Sequence, residues 1–335
     1  MFDVITIGSA TRDVFLKSPG FAETASGDSP TGKNIVLPLG SKIEIEKIVL
    51  ATGGSGTNTA VTFARQGLKT ACIGVIGEDA NGAAVLEEMA AENVDTRFFQ
   101  KDADDLTAYS VILVSRSGER TILSYKGEGQ HLSALKINPD DFETKWLNVG
   151  SLGGHFEILQ KISEWAALKS VKLAFNPGTK ELEFGLEKLK PIFKICQIVS
   201  VNQDEAARLT GLKYDDEAGI FKMMDEIVPG IFIMSKGHDG AAVSDGVNVY
   251  RAGVPDSPIV ERTGAGDAFM SGFVSEYMKQ TNNLSQITND KETIIKAIQL
   301  GTANASSVVA QYGSKAGILK KGDIGPWPLV NVAVS

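Results

Sequence analysis

"ERTGAGDAFMSGF", residues 261–273, sets two glycines and an acid directly ahead of an apolar run with helical spacing. Ala268, Phe269, Phe273, Val274 and Tyr277 recur on one side of such a helix, which predicts a start near Asp267 with "TGAG" as its approach. The first amides of a helix lack internal partners and carry partial positive charge. Gly264, Ala265 and Gly266 therefore offer backbone N–H groups to an anion such as a phosphoryl group. A carboxylate at Asp267 opposes that use unless it serves the attacking group, as acceptor of the proton of an incoming hydroxyl. Taken alone, the stretch is also satisfied by a plain N-cap and a tight turn.

On either side of this stretch, short β-branched runs alternate with helical patterns. Strands are predicted at 3–8, 70–77, 146–152, 171–177, 196–202 and 231–237, and helices at 57–67, 81–93, 156–169 and 291–311. Repeated β–α units predict a mostly parallel sheet with helices on both faces. Two segments break the rhythm. Residues 14–50 contain no helical pattern, and 106–126 reads as two strands joined by "SRSGER". A small β-layer beside the main body and a pair of decorated surface loops both fit them. The tail after Gly322 reads as irregular.

Composition narrows the function. The chain has 335 residues, 43% of them hydrophobic, enough for a substantial core. Its 33 basic and 41 acidic residues give a net charge of −8 without a basic cluster, so a nucleic-acid partner is not expected. No run approaches the roughly 20 apolar residues of a membrane-spanning helix. The opening "MFDVITIGSATRDVF" reads as a strand rather than a leader, and two cysteines suit a reducing compartment, so a cytoplasmic location is expected. His131, His155 and His238 are scattered without metal-ligand spacing, which speaks against zinc and against a hydrolase triad.

Two glycine-rich stretches mislead. "GDSPTGKN", 27–34, has the spacing of a phosphate-binding P-loop but ends in Asn34 where a hydroxyl is needed, and neither the strand before nor the helix after is present. "GGSGTNTA", 53–60, lacks the third glycine of a dinucleotide fingerprint, and no acid closes a second strand at the expected distance, so hydride chemistry is a distant alternative.

"TGAGDAFMSGF" resembles the C-terminal signature of the ribokinase-like, or PfkB, family of carbohydrate and nucleoside kinases. Residues 53–89 resemble its N-terminal signature, "VNQDEAARLTG" its Asn-x-x-Glu motif, "MSKGHDGAAV" its nucleotide-side strand and turn, and "TANASSVVAQYG" its late helix. These matches run in the family's order along almost the whole chain. The resemblance implies a ribokinase-like three-layer sandwich, one domain over 1–335, with lid segments of about 14–50 and 106–126 inserted in the α/β body. It implies an ATP-dependent kinase acting with Mg²⁺ on a hydroxyl of a sugar or sugar-containing small molecule.

Carried over by motif, Asp267 is the general base and Gly264, Ala265 and Gly266 form the anion hole. Asp13, Gly53, Gly54 and Asn58 face the sugar, and Asn176 borders it. Ser235, Gly237 and Asn304 serve the nucleotide, and Asn202 and Glu205 order magnesium and its waters. Arg120 reads either as a substrate contact or as a solvated side chain, and Lys236 as a phosphate contact or an exposed lysine. Alone, "NQDE" also reads as a helix start capped by Asn202.

Two departures bear on specificity. Glu261, Arg262 and Thr263 stand where the family often has Asp-Thr-Thr or a close variant, near the monovalent-cation site of potassium-activated members, which leaves K⁺ activation open. Ser55 replaces the lysine of typical ribokinases, which weakens ribose as the default substrate. A nucleoside kinase and, more distantly, a non-catalytic sugar or nucleotide sensor on the same fold are the competing readings. Lid layers in the family often pair between subunits, and "KIEIEKI", 42–48, carries an apolar strip suited to a homodimer; a self-contained lid is the other reading.

Overall fold

Six short apolar runs lie side by side in parallel: Thr70–Ile73, Phe2–Ile7, Thr144–Val149, Lys172–Phe175, Cys196–Asn202 and Ile231–Ser235. The sheet continues antiparallel through Ala241–Ser244, Val249–Ala252 and Val332–Val334, nine strands in all among the described residues. This computed structural model describes residues 1–28, 32–117, 119–126, 137–138, 141–281 and 290–335. His131, the middle of the 27–34 loop and most of the polar connection after residue 281 lie outside them.

Side chains that alternate along each strand are buried on both faces. Ile5, Val149, Phe175, Val201 and Phe232 meet the helices Phe156–Lys169, Leu186–Phe193, Gln203–Thr210 and Glu217–Asp225. Val4, Trp146, Ala174, Ile198 and Ile233 meet Ser55–Arg65, Ala265–Thr281 and Lys291–Val309 on the other side. Double coverage explains why these strands read as unbroken apolar runs rather than as an apolar–polar alternation. Helix starts follow local chemistry: the Asp79 carboxylate accepts the Gly82 N–H at 2.7 Å to open Ala80–Ala91, and Asp290 accepts the Thr293 N–H at 3.0 Å to open Lys291–Val309.

The two segments that break the β–α rhythm build a separate four-stranded sheet. Its order is Arg120–Tyr125, Ala108–Val114, Thr11–Lys17, Lys47–Gly53, with a parallel central pair and antiparallel outer pairs. Ala22–Ala25 and Lys33–Val36 add a small hairpin. The lysine of the apparent P-loop belongs to that hairpin, where Lys33 Nζ donates to Glu23 at 2.8 Å. One face of the four-stranded sheet buries Phe15, Ile112 and Val114 against Val49, Ala51 and Tyr312.

The tail departs from its sequence reading. Val332–Val334 pairs with Val249–Ala252, a contact too short to leave any periodicity in the sequence. Both cysteines are buried, and burial pushes the Cys72 thiol up to about 12 and raises that of Cys196 as well, which disfavours the thiolate at both positions. No helix among the described residues is long and apolar enough to cross a membrane.

Candidate active site

The helix Ala265–Thr281 starts two residues before Asp267, so the acid occupies its first turn. Ahead of it, Gly264 adopts φ +81°, and a Cβ there would lie 2.5 Å from Cβ of Ser314. Only glycine meets both demands. The Ala265 N–H makes a long bond, 3.3 Å, to the Arg262 carbonyl, whereas those of Gly264, Gly266 and Asp267 find no acceptor among the described residues. Open space faces Gly266. Unsatisfied amides at an accessible helix start are the physical requirement for an anion site.

Asp267 is oriented from behind. Asn58 Nδ2 donates to its Oδ2 at 2.8 Å, and Asn58 Oδ1 accepts from Ser314 Oγ at 2.7 Å. Both ends of the Asn58 amide are thus engaged by the protein, and the side chain holds the acid rather than facing open space. Burial raises the pKa of Asp267, a change that the Asn58 hydrogen bond offsets in part.

Asp13 arrives from the small sheet. Its strand pairs Thr11 with Gly53, and a Cβ on Gly53 would lie 2.0 Å from Asp13 Oδ2, so the carboxylate rests on the glycine backbone. Thr11 Oγ1 donates to Asp13 at 3.1 Å, and burial raises the pKa of this acid too. The Gly53–Gly54 pair then leads into the helix Ser55–Arg65, which carries Asn58. Asp13, Gly53, Gly54, Asn58 and Asp267 therefore meet where the small sheet joins the body.

The second group lies at the carboxyl ends of the parallel strands, the edge at which such sheets hold ligands. Asn202 ends one strand in register with Ser235 at the end of the next, and Asn176 Nδ2 donates to the Ser200 carbonyl at 2.7 Å. Asn202 and Glu205 form a reciprocal capping box: Glu205 N–H donates to Asn202 Oδ1 at 2.9 Å and Asn202 N–H to Glu205 Oε2 at 2.8 Å. Burial raises the pKa of Glu205, which has no ion pair among the described residues. Gly237 lines a cavity of about 590 Å³ with Val254, Pro255, Ile259, Ala305 and Val309, and Arg262 and Ala265 bound the same cavity. A largely apolar slot opening on the glycine turn has the chemistry to take a heterocycle attached to phosphates.

Asn304 is not brought to that slot. It is fully buried, with Nδ2 donating to the Ala268 carbonyl at 2.8 Å and Oδ1 accepting from Leu319 N–H at 2.9 Å. Its neighbours Ala305 and Ser306 line the cavity instead. Lys236 is held by Glu217 at 2.9 Å.

Two buried charged residues without an assigned role in the sequence reading adjoin the same region. Glu261 is buried; its Oε1 accepts from the Thr263 N–H at 2.7 Å and faces Arg120 Nε at 3.2 Å, while its Oε2 is buried without a partner. Arg120 thus ties the small sheet to the loop before the glycines. Lys315 is 3% exposed and hydrogen-bonds to Thr52 Oγ1, with Glu88 Oε2 3.8 Å away. Neither pairing has a local sequence signal, because each joins segments more than a hundred residues apart.

The chain matches the model of the pfkB family carbohydrate kinases over residues 1–321. It is 24% identical over 327 residues to a ribokinase of Haemophilus influenzae, covering 93% of this chain and 94% of that protein. Its fold superposes on Arabidopsis thaliana ribokinase complexed with ribose and ATP (TM-score 0.74, 18% identity, 96% of this chain and 97% of that one). It also superposes on Burkholderia thailandensis nucleoside kinase in complex with inosine (TM-score 0.72, 17% identity, 96% of each chain). The architecture is ribokinase-like, and the chain belongs to the pfkB family of carbohydrate kinases, phosphotransferases that use an alcohol group as acceptor.

Proposed function

We propose that this protein is an ATP-dependent kinase that transfers the γ-phosphoryl group to a hydroxyl of a sugar or sugar-containing small molecule. Asp267 is the general base, and the backbone of Gly264, Ala265 and Gly266 forms the anion hole. One observation carries the reading: an acid oriented by Asn58 at 2.8 Å stands in the first helical turn beside the Gly264 and Gly266 amides, which have no acceptor among the described residues, and the Ala265 amide, which has only a long bond. The acid takes the proton of the attacking hydroxyl while the amides hold the charge on the transferring oxygens.

Asp13, seated on Gly53, binds sugar hydroxyls, with Gly54 and Asn176 nearby and Asn58 acting through Asp267. The 590 Å³ cavity takes the nucleotide past Ser235 and Gly237, and Asn304 braces its wall. Magnesium would be held at Asn202 and Glu205, a partly buried carboxylate at the carboxyl end of the sheet that forms no ion pair among the described residues, although the charge of Arg208 reaches it. Bound there, the metal supplies positive charge to the phosphoryl oxygens. Arg120 already pairs with Glu261 ahead of the glycines, so no potassium requirement is included. The small sheet acts as a lid over the sugar, and its exposed apolar face is the contact for a homodimer.

ATP consumption across a panel of sugars and nucleosides, with magnesium, tests the assignment. Turnover only on nucleosides selects the nucleoside kinase, and binding without turnover on any acceptor selects the sensor. Asp267→Asn is expected to lose about 10²-fold or more in turnover with little change in acceptor affinity. Near-normal turnover in that variant removes Asp267 from the role of base.

A further inference from the structure

Lys315 lies behind the site rather than in it. Lysine is seldom fully buried without a partner, because its charge is costly to desolvate. Here the ammonium is buried beneath the junction of lid and body, hydrogen-bonded to Thr52 of the lid strand and 3.8 Å from Glu88 of the helix Ala80–Ala91. Thr52 in turn donates to Glu88. The neighbouring residue, Ser314, donates to Asn58, which donates to Asp267.

We propose that Lys315 is a positioning residue of this site, its buried ammonium supplying the counter-charge that Asp13 and Asp267 share. This inference rests on the reading of Asp267 as base. Glu88 lies 3.8 Å from the ammonium, and the charges of Asp13 on the lid strand, Cys72 on the strand Thr70–Ile73 and Asp267 also act on it. Arg65, whose Nη1 donates to the Lys315 carbonyl at 3.0 Å, brings Glu92 nearby. Burial lowers the Lys315 pKa to about 8, so it remains mostly charged at neutral pH. Asp13 and Asp267 are both pushed up by burial, and both are drawn back by the charge of Lys315. Neither acid forms an ion pair of its own among the described residues. The lysine therefore favours the ionised form that a base and a hydroxyl-binding carboxylate require, without touching substrate.

The sign is fixed by electrostatics. Removing the ammonium makes Asp267 easier to protonate, so the acid-side fall of kcat/KM begins at a higher pH. Removing the competing negative charge of Glu88 moves it the other way. The test is the pH profile of kcat/KM for Lys315→Met, Lys315→Arg and Glu88→Gln, with ATP, magnesium and the acceptor identified by the screen. Lys315→Met is expected to fall about threefold or more below wild type at the low-pH end and to converge on it as the pH rises. Lys315→Arg restores the wild-type limb, and Glu88→Gln, a partly exposed position expected to fold if Lys315→Met does not, moves the limb to lower pH.

A uniform loss at every pH, or an unmoved limb in folded Glu88→Gln, overturns the proposal. Asp267→Asn separates the two readings. If that variant is inactive while the limbs stay fixed, the role of Lys315 alone is lost. If it retains full turnover, the base reading fails and the proposal falls with it.

Discussion

The parallel half of the large sheet and the four-stranded lid are both β-structure, yet they are held by different forces. In the large sheet, "CQIVSVN", Cys196–Asn202, is buried along nearly its whole length between two helical layers. In the lid, "RTILSY", Arg120–Tyr125, is exposed over most of its length, and Lys47–Gly53 buries only its last two residues fully. The body has apolar contacts on both faces of every central strand. The lid has one small apolar cluster, in which Phe15 packs edge-on against Tyr312 at 6.2 Å, and polar ties such as Arg120 to Glu261 and Lys315 to Thr52. The difference suits the proposed arrangement of a rigid platform under a lid, since elements that move belong to the least stable part of a fold.

The sharpest way to break this contrast is to empty the body core. Trp146 is fully buried and packs edge-on against Tyr277 at 6.2 Å. Trp146→Ala is expected to cost about 3–5 kcal/mol of unfolding free energy, measured by denaturant titration. A loss below about 1 kcal/mol would mean that the central sheet is not the main source of stability. A smaller effect is expected at the tie between lid and body. Arg120→Ala leaves the buried Glu261 carboxyl without its ion partner and lets the lid part from the glycine loop. The acceptor KM is expected to rise about tenfold while kcat changes less, as for a contact that holds the closed state rather than the transition state. An equal fall in kcat at unchanged KM would place Arg120 in the chemistry instead.

The sequence exposed the body more clearly than the lid for the same physical reason. Doubly covered strands such as 196–202 and the amphipathic helix 156–169 leave strong local patterns, and both are found where the sequence places them. Strands of three or four residues at the antiparallel edge, Ala241–Ser244 and Val332–Val334, leave none. In the site, the glycine-flanked acid at 267 was readable because helix start, glycines and carboxylate are contiguous. Lys315 and Glu261 were not, because their meaning comes from Asp13, Thr52 and Arg120, which the fold alone brings near. Asn304 shows the opposite case: carried over by motif, it sits one residue from the cavity lining with its amide turned into the core.

The smallest effect on stability is expected on the outer face of the lid. Ile48, Leu50, Leu123 and Tyr125 are all exposed there, and strand register places Leu50, Val14, Val111 and Leu123 in one row across the sheet. An exposed apolar sheet face is a docking surface or an aggregation hazard, and a second lid is its natural complement. Replacing Ile48 and Leu123 together by Ser removes little packing within one chain, so unfolding free energy is expected to change by no more than about 0.5 kcal/mol per site. Mass measured by light scattering behind size-exclusion chromatography is expected to fall from dimer to monomer over the same substitution. A wild-type protein that is already monomeric at high concentration would show that the lid is self-contained. A double variant that stays dimeric would move the contact elsewhere. A large loss of stability would mean that this face is part of the lid's own core, and the contrast between a doubly covered body and a singly covered lid would no longer hold.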